Sequence, residues 1–245
     1  MRMIKLKIEY VGKGNLVLIN KKFDVKTLAE ELVPFSESFK NITLSSKANR
    51  ALHLLLNSIG AGELIVPVSG YRSFEEQAEI YNTSLNENGS EYTKKYVAIP
   101  GASEHQTGLA IDLALNEGEI DFICPRFPRF GICEEFRKTA AIYGFIERYK
   151  EEKREVTGIS GEEWHFRYVG FPHSKIIEES GFCLEEYIDY LKAFVYPDKP
   201  LKSLGYAVYY IPCGGDGAEI AAEGSFTVSG NNADGFILTV KESGI

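Results

Sequence analysis

Ser103-Glu104-His105-Gln106-Thr107-Gly108-Leu109-Ala110-Ile111-Asp112-Leu113-Ala114-Leu115 is the stretch on which the fold turns. Residues 108–115 form an apolar run of strand length, interrupted only by Asp112, and this predicts a buried strand. A lone carboxylate in that setting costs several kcal/mol or must take up a proton, so Asp112 needs a cation beside it. A metal ion is one solution, and an arginine such as Arg72 is another. In a single straight strand His105 and Asp112 would stand about 23 Å apart. Gly108 lets the chain fold back and bring His105 over Asp112. His165, in Glu162-Glu163-Trp164-His165-Phe166-Arg167-Tyr168, falls on a second strand candidate, residues 164–169. Two imidazoles and one carboxylate with an open position make up the donor set of a catalytic zinc site. Each element alone has a plainer reading, a hydrogen-bonding histidine or an ion-paired aspartate. The glutamate three residues ahead of His165 favours the joint one.

Outward from this stretch, helix and strand patterns do not alternate regularly. Ser45 or Ser46 caps a helix to about Ser58, with Ala51, Leu54 and Leu55 on its apolar face. Residues 64–69 read as a short buried strand. Residues 74–86 read as a helix, with Phe74, Ala78 and Tyr81 inward. Residues 134–143 form a helix ended by Gly144, and residues 184–195 a final one. The expected fold class is α+β, with a central, mainly antiparallel sheet flanked by helices and a cleft for zinc. The N-terminal residues 3–19 read as a β-hairpin turning at Gly12-Lys13-Gly14-Asn15. Past Pro197 and Pro200, residues 206–211, 225–228 and 235–240 are strand-like, with glycine-rich and asparagine-rich turns between them. The expected organisation is a domain over residues 1–200 and a small β subdomain over 201–245. About 40 residues are marginal alone, so the subdomain should pack on the main body or pair with residues 3–19.

The chain has 245 residues, 44% apolar and 25% charged, which excludes disorder, collagen and coiled coil as whole-chain readings. Its net charge of −8 argues against nucleic acid as a partner. No segment has the apolar core of a secretory signal or the roughly 20 apolar residues of a transmembrane helix. The four cysteines (Cys124, Cys133, Cys183 and Cys213) are too scattered for a disulfide framework, although a Cys124–Cys133 bridge would suit an exported protein. The chain reads as cytoplasmic. Of the remaining histidines, His53 belongs at the edge of the core and His173 on the surface. Arg126 and Arg129 are read as solvated loop charges that could rim the cleft.

The motif Ser-x-His-x-x-Gly-x-Ala-x-Asp, followed some 50 residues later by Glu-x-Trp-His, resembles the VanY/VanX family of zinc D-Ala-D-Ala peptidases. The VanXY-type bifunctional dipeptidase/carboxypeptidases are the nearest likeness. Ser69-Gly70-Tyr71-Arg72-Ser73 with Gln77, residues 98–105 and residues 164–170 match as well. The resemblance covers roughly residues 15–195. It implies one Zn2+ held by His105, Asp112 and His165, with Glu162 as the general base and Arg72 as a catalytic cation. It also implies that Gln77 and Ser103 contact substrate. The usual family motif is Glu-Pro-Trp-His; here Glu163 replaces the proline, and position relative to His165 selects Glu162 as the base. The implied partner is a peptidoglycan stem peptide or the dipeptide D-Ala-D-Ala. Two other readings remain open: an L,D-carboxypeptidase of the same fold, or a catalytically silent module that binds cell-wall peptides.

Overall fold

The computed structural model describes residues 2–242 except 28 and 30. The chain divides into two compact units: Asn20–Cys183, and Met1–Ile19 together with Leu184–Ile245. The division expected at residue 200 therefore falls after Cys183, and the first strand, β1 (Arg2–Leu6), belongs to the smaller unit.

The larger unit begins with a two-stranded ribbon, β2 (Leu32–Pro34) against β3 (Thr43–Ser45). Helix α1 (Ser46–Ser58) follows at once, because the Ser45 side chain accepts from the Ala48 N–H and caps its first turn. Its buried stripe is Ala48, Leu52, Leu55 and Leu56; Leu54 faces out, one position off the expected face. Strand β4 (Ile65–Ser69) leads to α2 (Phe74–Tyr96). A reciprocal capping box between Ser73 and Glu76 starts α2, and it breaks at Gly89 before resuming to Tyr96. The helix runs ten residues past its expected end, and Phe74, expected inward, is exposed.

The remaining elements of this unit are β5 (Ala110–Leu115), α3 (Gly131–Ala140), β6 (Phe145–Tyr149), α4 (Arg154–Thr157), β7 (Glu162–Tyr168) and α5 (His173–Ser180). The central sheet runs in the order β4-β5-β7-β6, and every pairing in it is antiparallel. Period-two alternation sends Ile111, Leu113 and Phe166 into a core with Leu44, Leu52, Phe127, Phe136 and Phe145. Phe127, Phe136 and Phe166 pack edge to face, with ring centroids 4.8–5.5 Å apart. This apolar side supports the sheet and leaves Asp112 and His165 to face the other way. His173, expected on the surface, is buried at the first turn of α5, and burial pushes its imidazole down to about 3.

The smaller unit holds α6 (Leu184–Leu191), β8 (Leu201–Ser203), β9 (Tyr206–Pro212), β10 (Ala218–Ala222), β11 (Phe226–Gly230) and β12 (Gly235–Lys241). An antiparallel sheet runs β11-β12-β9-β8. The expected N-terminal hairpin does not form. Instead β1 pairs with β10, Arg2 opposite Ala222 through to Leu6 opposite Ala218, and residues 8–12 make a 3₁₀ turn. Leu6, Val11, Ile211, Ile220, Phe236 and Leu238 close a separate small core. The Leu18 N–H donates to Asn231 O, and Asn232 Nδ2 donates to Leu18 O at 3.0 Å. Residues 16–19 are thus held by a turn rather than by a strand partner.

Candidate metal centre

Sheet register places two of the expected ligands. Asp112 on β5 stands directly opposite His165 on β7, so both side chains leave the sheet on one face. The third arrives by the fold-back expected at Gly108. Residues Glu104–Thr107 form a 3₁₀ turn that ends at Gly108 with φ +68°. A Cβ at Gly108 would sit 2.7 Å from Leu32 and 3.1 Å from the Ser45 nitrogen, so only glycine turns the chain this tightly. His105 Nε2 lies 3.1 Å from Asp112 Oδ2, and His165 Nδ1 lies 2.8 Å from Asp112 Oδ1. One donor atom from each of His105, Asp112 and His165 falls within 4.8 Å of the others, and all three residues are buried.

The His105 ring is oriented from behind. Its Nδ1 donates to Gly70 O at 2.6 Å, which leaves Nε2 as the lone-pair nitrogen facing Asp112. Gly70 can come this close only because it lacks a side chain; a Cβ there would lie 2.3 Å from Thr43 O. His105 Nε2 is buried and makes no hydrogen bond, so a cation between the three donors would satisfy an otherwise orphaned atom. The donors fit a divalent ion such as zinc.

Glu162 reaches the same place by an irregularity. A regular strand sends residues three apart to opposite faces, but the β6–β7 ladder slips between Glu147 and Tyr149. Glu162 Oε2 ends 3.8 Å from His165 Nδ1. Burial and the neighbouring Asp112 charge raise its carboxyl to about 8, against the pull of His165 and Arg72. Glu163 points elsewhere, hydrogen-bonded by Arg129 Nε at 2.8 Å.

Arg72, carried on the loop after β4, spans the site with its fork. Nη1 donates to Gln77 Oε1 at 3.0 Å and Nη2 reaches Asp112 Oδ2 at 3.5 Å. The plainer reading of Asp112 as an arginine partner therefore holds alongside the histidine cluster. Gln77 also donates from Nε2 to Ala98 O at 2.8 Å, so both ends of its amide are engaged while the residue lines the cavity of the site. Burial lowers the Asp112 carboxyl's readiness to ionise, but His105 and His165 outweigh this and hold it well below the usual carboxylate range. Burial and Arg72 push His105 down to about 4. For His165 burial acts downward too, yet the carboxylates of Asp112 and Glu104 lift it to about 9.

These groups line a cavity of about 210 Å³, together with Ser103, Tyr149 and Trp164. Trp164 also packs against the core under the sheet. Apolar Ile80, Phe122 and Ile123 line the same cavity. Glu162 and Tyr149 are shared with an adjoining groove of about 780 Å³. Arg126 and Arg129 pair with Glu117 and with Glu147 and Glu163, and neither lines the smaller cavity. Sequence reasoning assigned no role to Tyr149, whose ring centroid is 4.9 Å from that of His165, because nothing local marks it. It also assigned none to Glu104, although a glutamate inside the histidine motif is itself a signal.

A buried carboxylate with a raised proton affinity, set beside a His-Asp-His donor set and a fixed guanidinium, is the set of groups a metal-dependent hydrolase requires. The VanY profile, described as D-alanyl-D-alanine carboxypeptidase, matches residues 41–171. This chain belongs to that family. It is 45% identical over 183 residues to VanXYC of Enterococcus gallinarum, a bifunctional D-Ala-D-Ala dipeptidase and D-Ala-D-Ala carboxypeptidase. That alignment covers 73% of this chain and 95% of the relative. The crystal structure of the vancomycin-resistance D,D-dipeptidase VanXYg, in complex with a D-Ala-D-Ala phosphinate analogue, superposes with a TM-score of 0.94. It has 48% identity and 98% coverage of both chains. The LD-carboxypeptidase LdcB superposes with a TM-score of 0.61 at 32% identity, covering 70% of this chain and 84% of its own. Among the described residues, no helix is long and apolar enough to cross a membrane.

Proposed function

We propose that this chain is a zinc-dependent peptidase that removes D-alanine from D-Ala-D-Ala, as the free dipeptide or at the end of a peptidoglycan stem peptide. The observation that carries this is the convergence of His105, Asp112, His165 and Glu162 in one small cavity. All the named site residues lie in Asn20–Cys183, which is accordingly proposed as the catalytic unit.

His105 Nε2, an Asp112 oxygen and His165 Nδ1 would hold the ion. Bound there, one Zn2+ supplies Lewis acidity, polarising the scissile carbonyl and easing deprotonation of water. Glu162 takes the proton of the attacking water and delivers it to the leaving amine nitrogen as the C–N bond breaks. The Arg72 guanidinium, locked by Gln77, offers a fixed positive charge to the developing oxyanion or to the substrate carboxylate. Ser103 is buried on the cavity wall within reach of a substrate terminus. A cavity of about 210 Å³ suits a dipeptide end, and the adjoining groove gives a longer stem peptide a path.

A reducing, cytoplasmic setting, in which the four cysteines would stay thiols, is part of the same proposal. The deciding experiment offers D-Ala-D-Ala, a D-Ala-D-Ala-ended pentapeptide and a tetrapeptide ending in an L,D bond to the zinc-loaded chain. Released D-alanine is measured before and after chelation. Chelator-sensitive release from the dipeptide or the pentapeptide is expected; release from the tetrapeptide alone would transfer the activity to the L,D class.

A further inference from the structure

Glu104 is 1% exposed, and its two side-chain neighbours across the sheet, Arg148 on β6 and Arg167 on β7, are 1% and 0% exposed. One carboxylate oxygen, Oε1, lies 2.8 Å from both Arg148 Nε and Arg167 Nη1. Among the described residues the other oxygen, Oε2, has no hydrogen-bond partner and lies 3.8 Å from His165 Nε2, which has none either. Two buried polar atoms of opposite character therefore face one another across a gap about half an ångström too long for a hydrogen bond.

A structural ion pair accounts for Oε1 but not for the aim of Oε2. The comparison with His105 supplies the reason. That imidazole turns one nitrogen to the donor cluster and anchors the other on Gly70 O. His165 likewise turns Nδ1 to Asp112, at 2.8 Å, and Nε2 to Glu104. Histidines that bind metals anchor their second nitrogen on a carboxylate or carbonyl, which sets the tautomer and the ring plane. We propose that Glu104, clamped by Arg148 and Arg167, is a positioning residue that holds His165 with a proton on Nε2 and its Nδ1 lone pair directed at the metal. Glu104 touches neither substrate nor ion; it acts through His165. The fully buried arginines hold the carboxylate so that it cannot swing into the cluster and become a ligand itself.

This inference rests on the metal centre proposed above, and zinc binding by the wild type tests that centre separately. Zn2+ affinity of the full chain is measured by competition with a chromophoric chelator, and ligand geometry by the visible spectrum of the Co2+-substituted protein. Glu104→Asp keeps the negative charge opposite both arginines but withdraws it from His165 by one methylene. Glu104→Gln keeps the shape and removes the charge. With folding verified by circular dichroism and thermal melting, Glu104→Asp is expected to bind Zn2+ about 10- to 100-fold more weakly and to shift the Co2+ bands. A folded Glu104→Asp with wild-type zinc affinity and an unchanged Co2+ spectrum overturns the proposal and leaves Glu104 a core ion-pair partner. Should neither variant fold, long-range 1H–15N spectra of the zinc-loaded wild type decide. His165 must show a metal-bound Nδ1 and a protonated Nε2; zinc on Nε2 overturns the assignment. A wild type that binds no stoichiometric zinc removes the metal centre itself.

Discussion

Replacing Glu162 with glutamine should abolish turnover and, in the zinc-free protein, make the fold more stable. Glutamine has nearly the same shape but cannot accept the proton of an attacking water. Loss of a general base costs about 10²- to 10⁴-fold in kcat, or roughly 3–5 kcal/mol of barrier. The stability gain follows from linkage. Burial raises the Glu162 carboxyl from 4.5 to about 8, so between those values the folded chain binds a proton that the unfolded chain has released. Stability therefore falls as pH rises through that window, and a permanently neutral side chain escapes the loss. At pH 7 the 2.5 pH units above the ordinary value, at about 1.36 kcal/mol each, set an upper bound near 3 kcal/mol. A bound cation would offset part of it, so the gain belongs to the zinc-free state. The assay pairs kcat for D-Ala-D-Ala, with zinc content measured in each sample, with urea unfolding of chelated protein at pH 5, 7 and 9. The difference in stability should be small at pH 5 and grow toward pH 8. Turnover within tenfold of wild type at full zinc loading would remove Glu162 from the base role. A variant less stable than wild type at pH 7 would show that its environment does not oppose the ionised form.

Two further outcomes follow. His173 has a folded value of about 3 against an ordinary 6.5, so its contribution to stability is intact above pH 6.5 and fades as pH falls toward 3. His173→Gln should lose stability less steeply than wild type between pH 6.5 and 4 in denaturant titrations, and parallel curves would refute this. Arg72→Lys keeps the charge but cannot reach Gln77 and Asp112 with one planar fork, so kcat/KM should drop about 10- to 100-fold while folding is retained. Unchanged kinetics would mean that a point charge suffices there.

The candidate metal centre was readable in the sequence to the extent that its residues break local rules. Asp112 in an apolar run and His105 before a turning glycine are each conspicuous against their neighbours, and burial makes such exceptions costly enough to need a reason. The strands around them were legible for the same reason, since period-two burial is written into consecutive residues. The N-terminal segment shows where this stops. Residues 3–19 carry a turn signal and two apolar runs, yet no hairpin forms; β1 instead pairs with β10 of the C-terminal subdomain, more than 200 positions away, a partner that the sequence offered without naming the strand. Local alternation states which face of a strand is apolar, not which edge will complete its hydrogen bonds. His173 misled in the other direction, because a polar residue after a proline reads as surface unless the elements packed over it are known.

The sequence by itself marked the donor types, the turn at Gly108 and the antiparallel α+β class, because these depend on side-chain chemistry and short-range backbone limits; the choice of Glu162 over Glu163 as the proposed base came from the family resemblance. Only the tertiary structure decided that Asp112 stands opposite His165, that a slipped ladder brings Glu162 to the same side, and that Glu104 turns an oxygen toward the far nitrogen of His165. Backbone hydrogen bonds are alike at every residue, so strand register is set by which faces can be buried together, and that exists only once the strands have met.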